Sequence, residues 1–328
     1  MASQRPPGRL RAMPAILFAG LFSALIVAGA TCQGVATDVR FDASPLPAGV
    51  PNPLRFVICG DTRVSLEPWR SSTRVERERV AAKVVELRPA FVLNSGDLVG
   101  AGGNYRMWQV FDRLTEGIRQ AGIRYVPALG NHEYYGKNEH AMKMYFERFP
   151  DLKGRKWYSY DAGPARLLIL DSNFDEFEGD EAARQSAWLQ EALELAQGDA
   201  AVRFVLLVCH HPPYTNSGHD PSRDALDRFV KPALRFPKYR GMINGHVHTY
   251  ERFEVEGRSY VVSGGGGAPL YSVEIDPAKW RRAPAYLGPA DRGHHVVECS
   301  ISAEAIRCEV HTLAEDGSWS ITDKFEIR

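Results

Sequence analysis

Five short stretches of the chain carry residues that could do chemistry together. Asp61 follows Gly60, Asp97 follows Gly96, and Gly130-Asn131-His132-Glu133 sets an amide beside an imidazole. Further on, Cys209-His210-His211-Pro212 and Gly245-His246-Val247-His248 add more histidines. Each is a weak signal alone: an Asp after Gly is usually a turn residue, and a loop histidine is usually solvated. Together they offer carboxylate and amide oxygens alongside imidazole nitrogens, a donor mixture that suits Zn, Mn or Fe. The glycine before each acid or amide is read as letting the backbone turn sharply there.

These residues share a position relative to the apolar runs of the chain. LRFVICGD, AFVLNSGD, RYVPALGNH, ARLLILDS, RFVLLVCHH and YRGMINGHVH are each of strand length and rich in Val, Leu or Ile. Several lack polar alternation, as strands buried on both faces do. Residues 71–87, 180–197 and 224–236 carry helical spacing between them, with Gly198 as a stop signal for the second. After Arg252 the chain reads mostly as strands and turns. The pattern predicts an α/β fold in which five strands deliver Asp, Asp, Asn-His, His and His-x-His to their C-terminal ends, where open α/β sheets place their sites.

The ordered series GDTR, GDLVG, GNHE, HHPPY and GHVHTYER resembles the calcineurin-like metallophosphoesterases, and Gly-Asn-His-Glu with the trailing Tyr-Glu-Arg points to their purple acid phosphatase-like branch. The resemblance covers Leu54 to the C-terminus. It implies a four-layer α/β/β/α sandwich with a two-metal site between the sheets, the ions being Fe, Zn or Mn. By position, Asp97 would bridge both ions, Asn131, His210 and His246 would complete one sphere, and Asp61 and His248 would serve the other. His132 resembles the histidine that stabilises the transition state or protonates the leaving group. His219 lies where related acid phosphatases place a substrate-facing histidine; a solvated loop residue is the alternative. Tyr250, Glu251 and Arg252 are read as packing groups or groups that orient ligands. The implied reaction is hydrolysis of a small phosphate ester by in-line attack of a metal-bound hydroxide. A phosphomonoesterase is the leading reading. A phosphodiesterase acting on nucleotides or phospholipid head groups and a non-catalytic phosphate-binding scaffold are the alternatives.

Two positions depart from the family pattern. Arg63 stands where most members have a ligand His, and Gly100 stands where purple acid phosphatases have a ligand Tyr. The first ion is therefore short of a ligand and expected to be held weakly. Arg63 is expected either to clamp substrate phosphate with its paired donors or to turn away toward a surface acid. Other enzyme signatures are absent: the chain has no GxSxG elbow and no P-loop, and Gly136 stands where an HExxH motif would need its second His. The run Gly264–Gly267 is read as permitting a tight turn near the sheets, with anion binding through its amides as the alternative.

The rest of the chain bounds location and partners. Arg5, Arg9 and Arg11 precede an apolar run, Ala15–Ala30, broken only by Ser23. Residues 1–30 are read as a secretory signal, with an uncleaved anchor as the alternative, so the protein is expected to be exported. Removing the three Arg would turn a balance of 40 basic and 40 acidic residues into a net charge of −3. Residues 31–53, with Pro45, Pro47, Pro51 and Pro53, read as a linker, and the metallophosphoesterase domain as 54–328. No long basic block implies nucleic acid as a partner. Membrane contact is expected only through the N-terminal segment or a lipid on Cys32. Cys59 and Cys209 read as packing residues. Cys299 and Cys308 flank a reversal at Ala303-Glu304 that would set them opposite each other, as a disulfide or as two reduced core thiols.

Overall fold

The computed structural model describes residues 38–47, 49, 52–66 and 73–328. The leader reading of residues 1–30, Cys32 and the first two residues of the helix read at 71–87 lie outside them. Among the described residues, twelve strands form two sheets of six. In the first sheet β1 (Leu54–Ile58), β2 (Phe91–Asn94) and β3 (Arg124–Pro127) run parallel. Antiparallel β10 (His295–Ile301), β11 (Ile306–Leu313) and β12 (Trp319–Ile327) extend it beyond β1. The second sheet has a parallel centre of β5 (Ala165–Ile169), β6 (Phe204–Val208), β7 (Tyr239–Asn244) and β9 (Arg258–Ser263). Antiparallel β4 (Tyr158–Ala162) and β8 (Tyr250–Val255) close its edges.

Strand alternation splits the core. Phe56 and Phe91 stack at 5.0 Å, and Phe91 meets Tyr160 of the other sheet at 5.2 Å, so these faces of β1, β2 and β4 look inward between the sheets. Leu167, Leu206 and Ile243 join that core, whereas their neighbours Leu168, Leu207 and Met242 belong to a second one. That second core is covered by α5 (Glu181–Gly198) through Leu189, Leu193 and Ala196. It is also covered by α6, a π-helical turn Ala225–Val230 continued by Lys231–Ala233, through Phe229 and Val230. On the far side of the first sheet lie α1 (Arg74–Leu87), α2 (Tyr105–Leu114) and α3 (Glu116–Gln120). The result is the four-layer α/β/β/α sandwich.

The six apolar runs all form strands, and the three helical spacings all form helices. Helix α5 runs through Gly198 rather than stopping before it. Sequence reading passed over α2, α4 (Asn138–Arg148) and β4. Helix α2 buries Trp108, Phe111 and Asp112 rather than a Leu/Val stripe, and α4 buries Ala141, Met144, Tyr145 and Arg148. In both, an aromatic face and the buried Arg148–Asp112 ion pair replace simple aliphatic periodicity. Cys299 and Cys308 are directly opposed on β10 and β11 and joined by a disulfide, while Cys59 and Cys209 are buried free thiols.

The linker reading of 31–53 needs correction. One compact unit runs from Val39 to Arg328, so the domain begins before Leu54. Phe41 is buried, stacked on Phe149 at 5.3 Å and tilted against Tyr125 at 4.7 Å, and its N–H donates to Arg148 O. Prolines nearby mark an irregular path, but one aromatic ring in a core is enough to tie that path down. Phe41→Ala is expected to lower the free energy of unfolding by about 3–5 kcal/mol, read as a shift in the denaturant midpoint. An unchanged midpoint would show that the segment contributes nothing to the fold.

Candidate metal centre

The site lies where the C-terminal ends of both parallel strand sets meet. Asp61 follows β1, Asp97 follows β2, and Asn131 and His132 open a 3₁₀ turn, Asn131–Tyr134, after β3. His210 follows β6, and His246 and His248 follow β7. Asp61, Asp97, His210 and His248 are buried; Asn131 and His246 are half-buried. The structure thus brings together all six residues read as metal ligands.

Their hydrogen bonds leave acceptor atoms facing one another. His210 donates its Nδ1–H to Ser95 O at 2.8 Å, so its Nε2 carries a lone pair. That Nε2 lies 3.3 Å from Asp97 Oδ1 and 3.1 Å from Asn131 Oδ1. Asn131 donates its Nδ2–H to the Tyr135 hydroxyl, which turns Oδ1 toward the imidazoles. His246 Nδ1 is 3.2 Å from the same amide oxygen. On the other side, His248 donates Nδ1–H to Pro269 O at 2.8 Å, and its Nε2 faces Asp61 Oδ1 at 3.7 Å. The lone pairs of His210 Nε2, Asp97 Oδ1 and Asn131 Oδ1 meet here and fit a cation at their centre. The donor types, two carboxylates, an amide and three imidazoles, fit Zn, Mn or Fe.

Burial sets the protonation states for that task. It pushes His210 well below the usual imidazole range and lowers His246 as well, while His248 is brought down to about 4. Neutral imidazoles are the ones that ligate. Burial, reinforced by the nearby Asp97 charge, pushes Asp61 well up, so positive charge close by is needed to keep it ionised. Glu133 accepts from the backbone N–H groups of Asp97, Leu98, Val99 and Gly130, and so fixes the second and third ligand turns to each other.

The backbone corrects the reading of the glycines. Asp61 (φ 58°), Asp97 (φ 55°) and His246 (φ 67°) themselves take the left-handed conformation, at a cost of order 1–3 kcal/mol each. Of the preceding glycines only Gly96 has positive φ. Gly245 is needed for closeness instead: a Cβ there would strike Asp61 Oδ2. Gly264 and Gly266 likewise let their loop lie against Val247 O and Gly60 O, so the run Gly264–Gly267 is a packing surface under the site.

The other singled-out residues fall nearby. His132 donates Nδ1–H to Gly100 O at 2.6 Å and holds Nε2 3.8 Å from Asp97 Oδ2. Arg63 does not turn toward a surface acid; its Nη1 reaches His248 Nε2 at 3.4 Å. His219 is half-buried at the rim, its ring 4.4 Å from that of His246. Glu251 accepts from the Thr215 hydroxyl and Asn216 N–H, anchoring the loop that carries His219, and Arg252 pairs with Asp323. A cavity of about 410 Å³ borders the site, lined by Arg63, Arg77, His132, Tyr135, His248 and Tyr271. Three residues there carried no sequence assignment. His211 sits beside His246 at 4.4 Å and close enough to His210 and His246 to share an ion, and adjacency in the His-His pair was its signal. Tyr271 stacks on His248 and Tyr135 lies tilted against His132 at 4.3 Å, and nothing in their local sequence marks them.

Comparison with known proteins follows the same residues. The sequence matches the calcineurin-like phosphoesterase family over residues 54–250. Among curated proteins it is 27% identical to Purple acid phosphatase 21 of Arabidopsis thaliana over 278 residues, covering 80% of this chain and 54% of that one. It is 25% identical to the same plant's Probable inactive purple acid phosphatase 27 over 226 residues, 58% of this chain and 36% of that one. The chain thus spans about half the length, or less, of these relatives. Among solved structures it superposes on a purple acid phosphatase from yellow lupin seeds with a TM-score of 0.63 at 23% identity, covering 87% of this chain and 55% of that one. The family match begins at the first strand and ends just past the turn that carries His246 and His248, so all six converging donors lie within it, and the chain belongs to the calcineurin-like phosphoesterase family.

Proposed function

We propose that the chain hydrolyses phosphate monoesters at this site. The observation that carries the reading is the convergence of buried lone-pair donors from both sheets beside a cavity that also holds His132 and Arg63. Asp97, Asn131, His210 and His246 would hold an ion, and Asp61 and His248 form the other half of the site. Bound metal supplies a water acidic enough to act near neutral pH and positive charge to offset phosphate oxygens.

The remaining work falls to side chains. His132 keeps its ring oriented through Gly100 O, which leaves Nε2 to carry the transferable proton. As the water oxygen bonds to phosphorus, the ester oxygen departs with the P–O electron pair and takes that proton. The proton lost by the water returns His132 to its protonated form through solvent. His219, at the rim, faces incoming substrate. A monoester is favoured over a diester because the cavity wall carries both Arg63 and Arg77, and a dianion gains more from that charge. Burial brings Arg77 down only to about 10, so it stays charged at neutral pH. Substrate choice is tested directly by turnover of paired aryl mono- and diesters; faster diester turnover would replace this reading with the phosphodiesterase one.

Asp97→Ala and His246→Ala are each expected to remove activity together with bound metal, measured by elemental analysis of dialysed protein. His132→Ala is expected to keep its metal and lose about 2.7–4 kcal/mol of transition-state stabilisation, seen as a fall in kcat. Full activity in His132→Ala would end its assignment.

Export is proposed alongside. It is supported by the Arg-then-apolar start of the sequence and by the Cys299–Cys308 disulfide, which suits an oxidising compartment. N-terminal sequencing of protein from the native host is expected to find the first thirty or so residues removed; an intact Met1 on a cytosolic chain would refute it.

A further inference from the structure

We propose that the guanidinium of Arg63 occupies one half of this centre in place of an ion, so that the chain holds a single tightly bound metal in the Asn131 half. The inference deepens the phosphoesterase reading of the same site and rests on it. Its basis is an asymmetry between the two halves.

In the Asn131 half, His210 Nε2, Asp97 Oδ1 and Asn131 Oδ1 converge, and among the described residues no Lys or Arg side chain reaches them. In the other half the corresponding lone pair is already engaged. His248 donates Nδ1–H to Pro269 O, which leaves Nε2 as an acceptor, and Arg63 Nη1 lies 3.4 Å from it. A guanidinium only donates, so Arg63 and a metal ion would compete for the same electron pair.

The Arg63 main chain is also fixed in place. Its backbone has φ 42°, and its N–H donates to Asp97 O at 2.7 Å. From behind, buried Arg77 donates Nη2–H to Arg63 O at 3.2 Å and Nε–H to Thr62 O at 2.8 Å. A main chain held at its own N–H and C=O, in a conformation a bulky residue rarely adopts, does not swing freely out of the site. Tyr271 stacks on His248 at 4.5 Å and lines the same cavity as Arg63.

Charge gives the same result. With one dication, ionised Asp61 and Asp97 and the guanidinium leave a small positive surplus, suited to a phosphate dianion. A second dication beside an arginine that cannot deprotonate would meet uncompensated repulsion at short range. Arg63 then has two duties: it neutralises Asp61 at rest and presents its remaining N–H donors to phosphate oxygens in the cavity it lines.

The full chain, loaded with Mn(II) and freed of excess, is the test. Elemental analysis is expected to give about one ion per chain, with the magnetic signature of an isolated Mn(II) ion. Arg63→His removes the charge and offers an imidazole; it is expected to bind a second ion roughly tenfold or more tighter than the parent and to show the spectrum of a coupled pair. Arg63→Gln, which keeps a donor without the charge, serves if the His variant fails to fold, and is expected to gain second-ion affinity too. Two tightly held, coupled ions in the parent protein would overturn the proposal while leaving the phosphoesterase reading intact. One ion with no turnover of any phosphate ester would do the reverse. Second-ion affinity unchanged in both variants would show that Arg63 does not hold the place.

Discussion

Asp61 and Asp97 are two carboxyl groups that solvent barely reaches, set side by side, and much of this fold is arranged around holding them there. Their mutual repulsion and loss of hydration have to be met by positive charge or by oriented donors. The structure supplies both. Backbone N–H groups of His246 and His132 point at the Asp61 and Asp97 carboxylates, and neutral imidazoles stand ready to share a cation. Only two packed sheets, each ending its parallel strands at the same seam, can bring five turns close enough for this.

The same demand explains why local backbone strain is concentrated here. Asp61, Arg63, Asp97 and His246 all have positive φ, whereas the strands leading to them are regular. Strain of this kind persists only where surrounding structure over-determines it. Glu133 shows how: one buried carboxylate accepts from three successive N–H groups after β2 and from Gly130 after β3, so neither turn can relax alone. Glu251 plays the corresponding part for the loop bearing His219. Both belong to the sequence clusters that hold the ligands, though their work is mechanical rather than chemical.

Affiliation and activity stand on different footings. The six donors and the order of their turns place the chain in its family, and the sandwich agrees. Family membership does not carry activity with it, for one relative of this chain is named as a probable inactive purple acid phosphatase. The site of this chain has the contact between Arg63 and His248, the absence of a side chain at Gly100, and the aromatic rings of Tyr135 and Tyr271 against the two flanking histidines.

By itself the sequence determined the strands of the site and the identity of the residues at their ends. Both are local properties: a run of Val, Leu and Ile encodes a buried strand, and Asp, Asn and His advertise their chemistry wherever they stand. It also indicated the opposition of Cys299 and Cys308, because a tight reversal sets register at once. What only the tertiary structure decided was whatever depends on distance between segments far apart in the chain. Phe41 reads as part of a Pro-rich linker until Phe149 and Tyr125 are brought beneath it. The glycines read as hinges until a Cβ at Gly245 is seen to strike Asp61. The direction of Arg63 has no sequence signal, since a long side chain chooses among rotamers by what surrounds it; here a clamped main chain and the His248 lone pair make the choice.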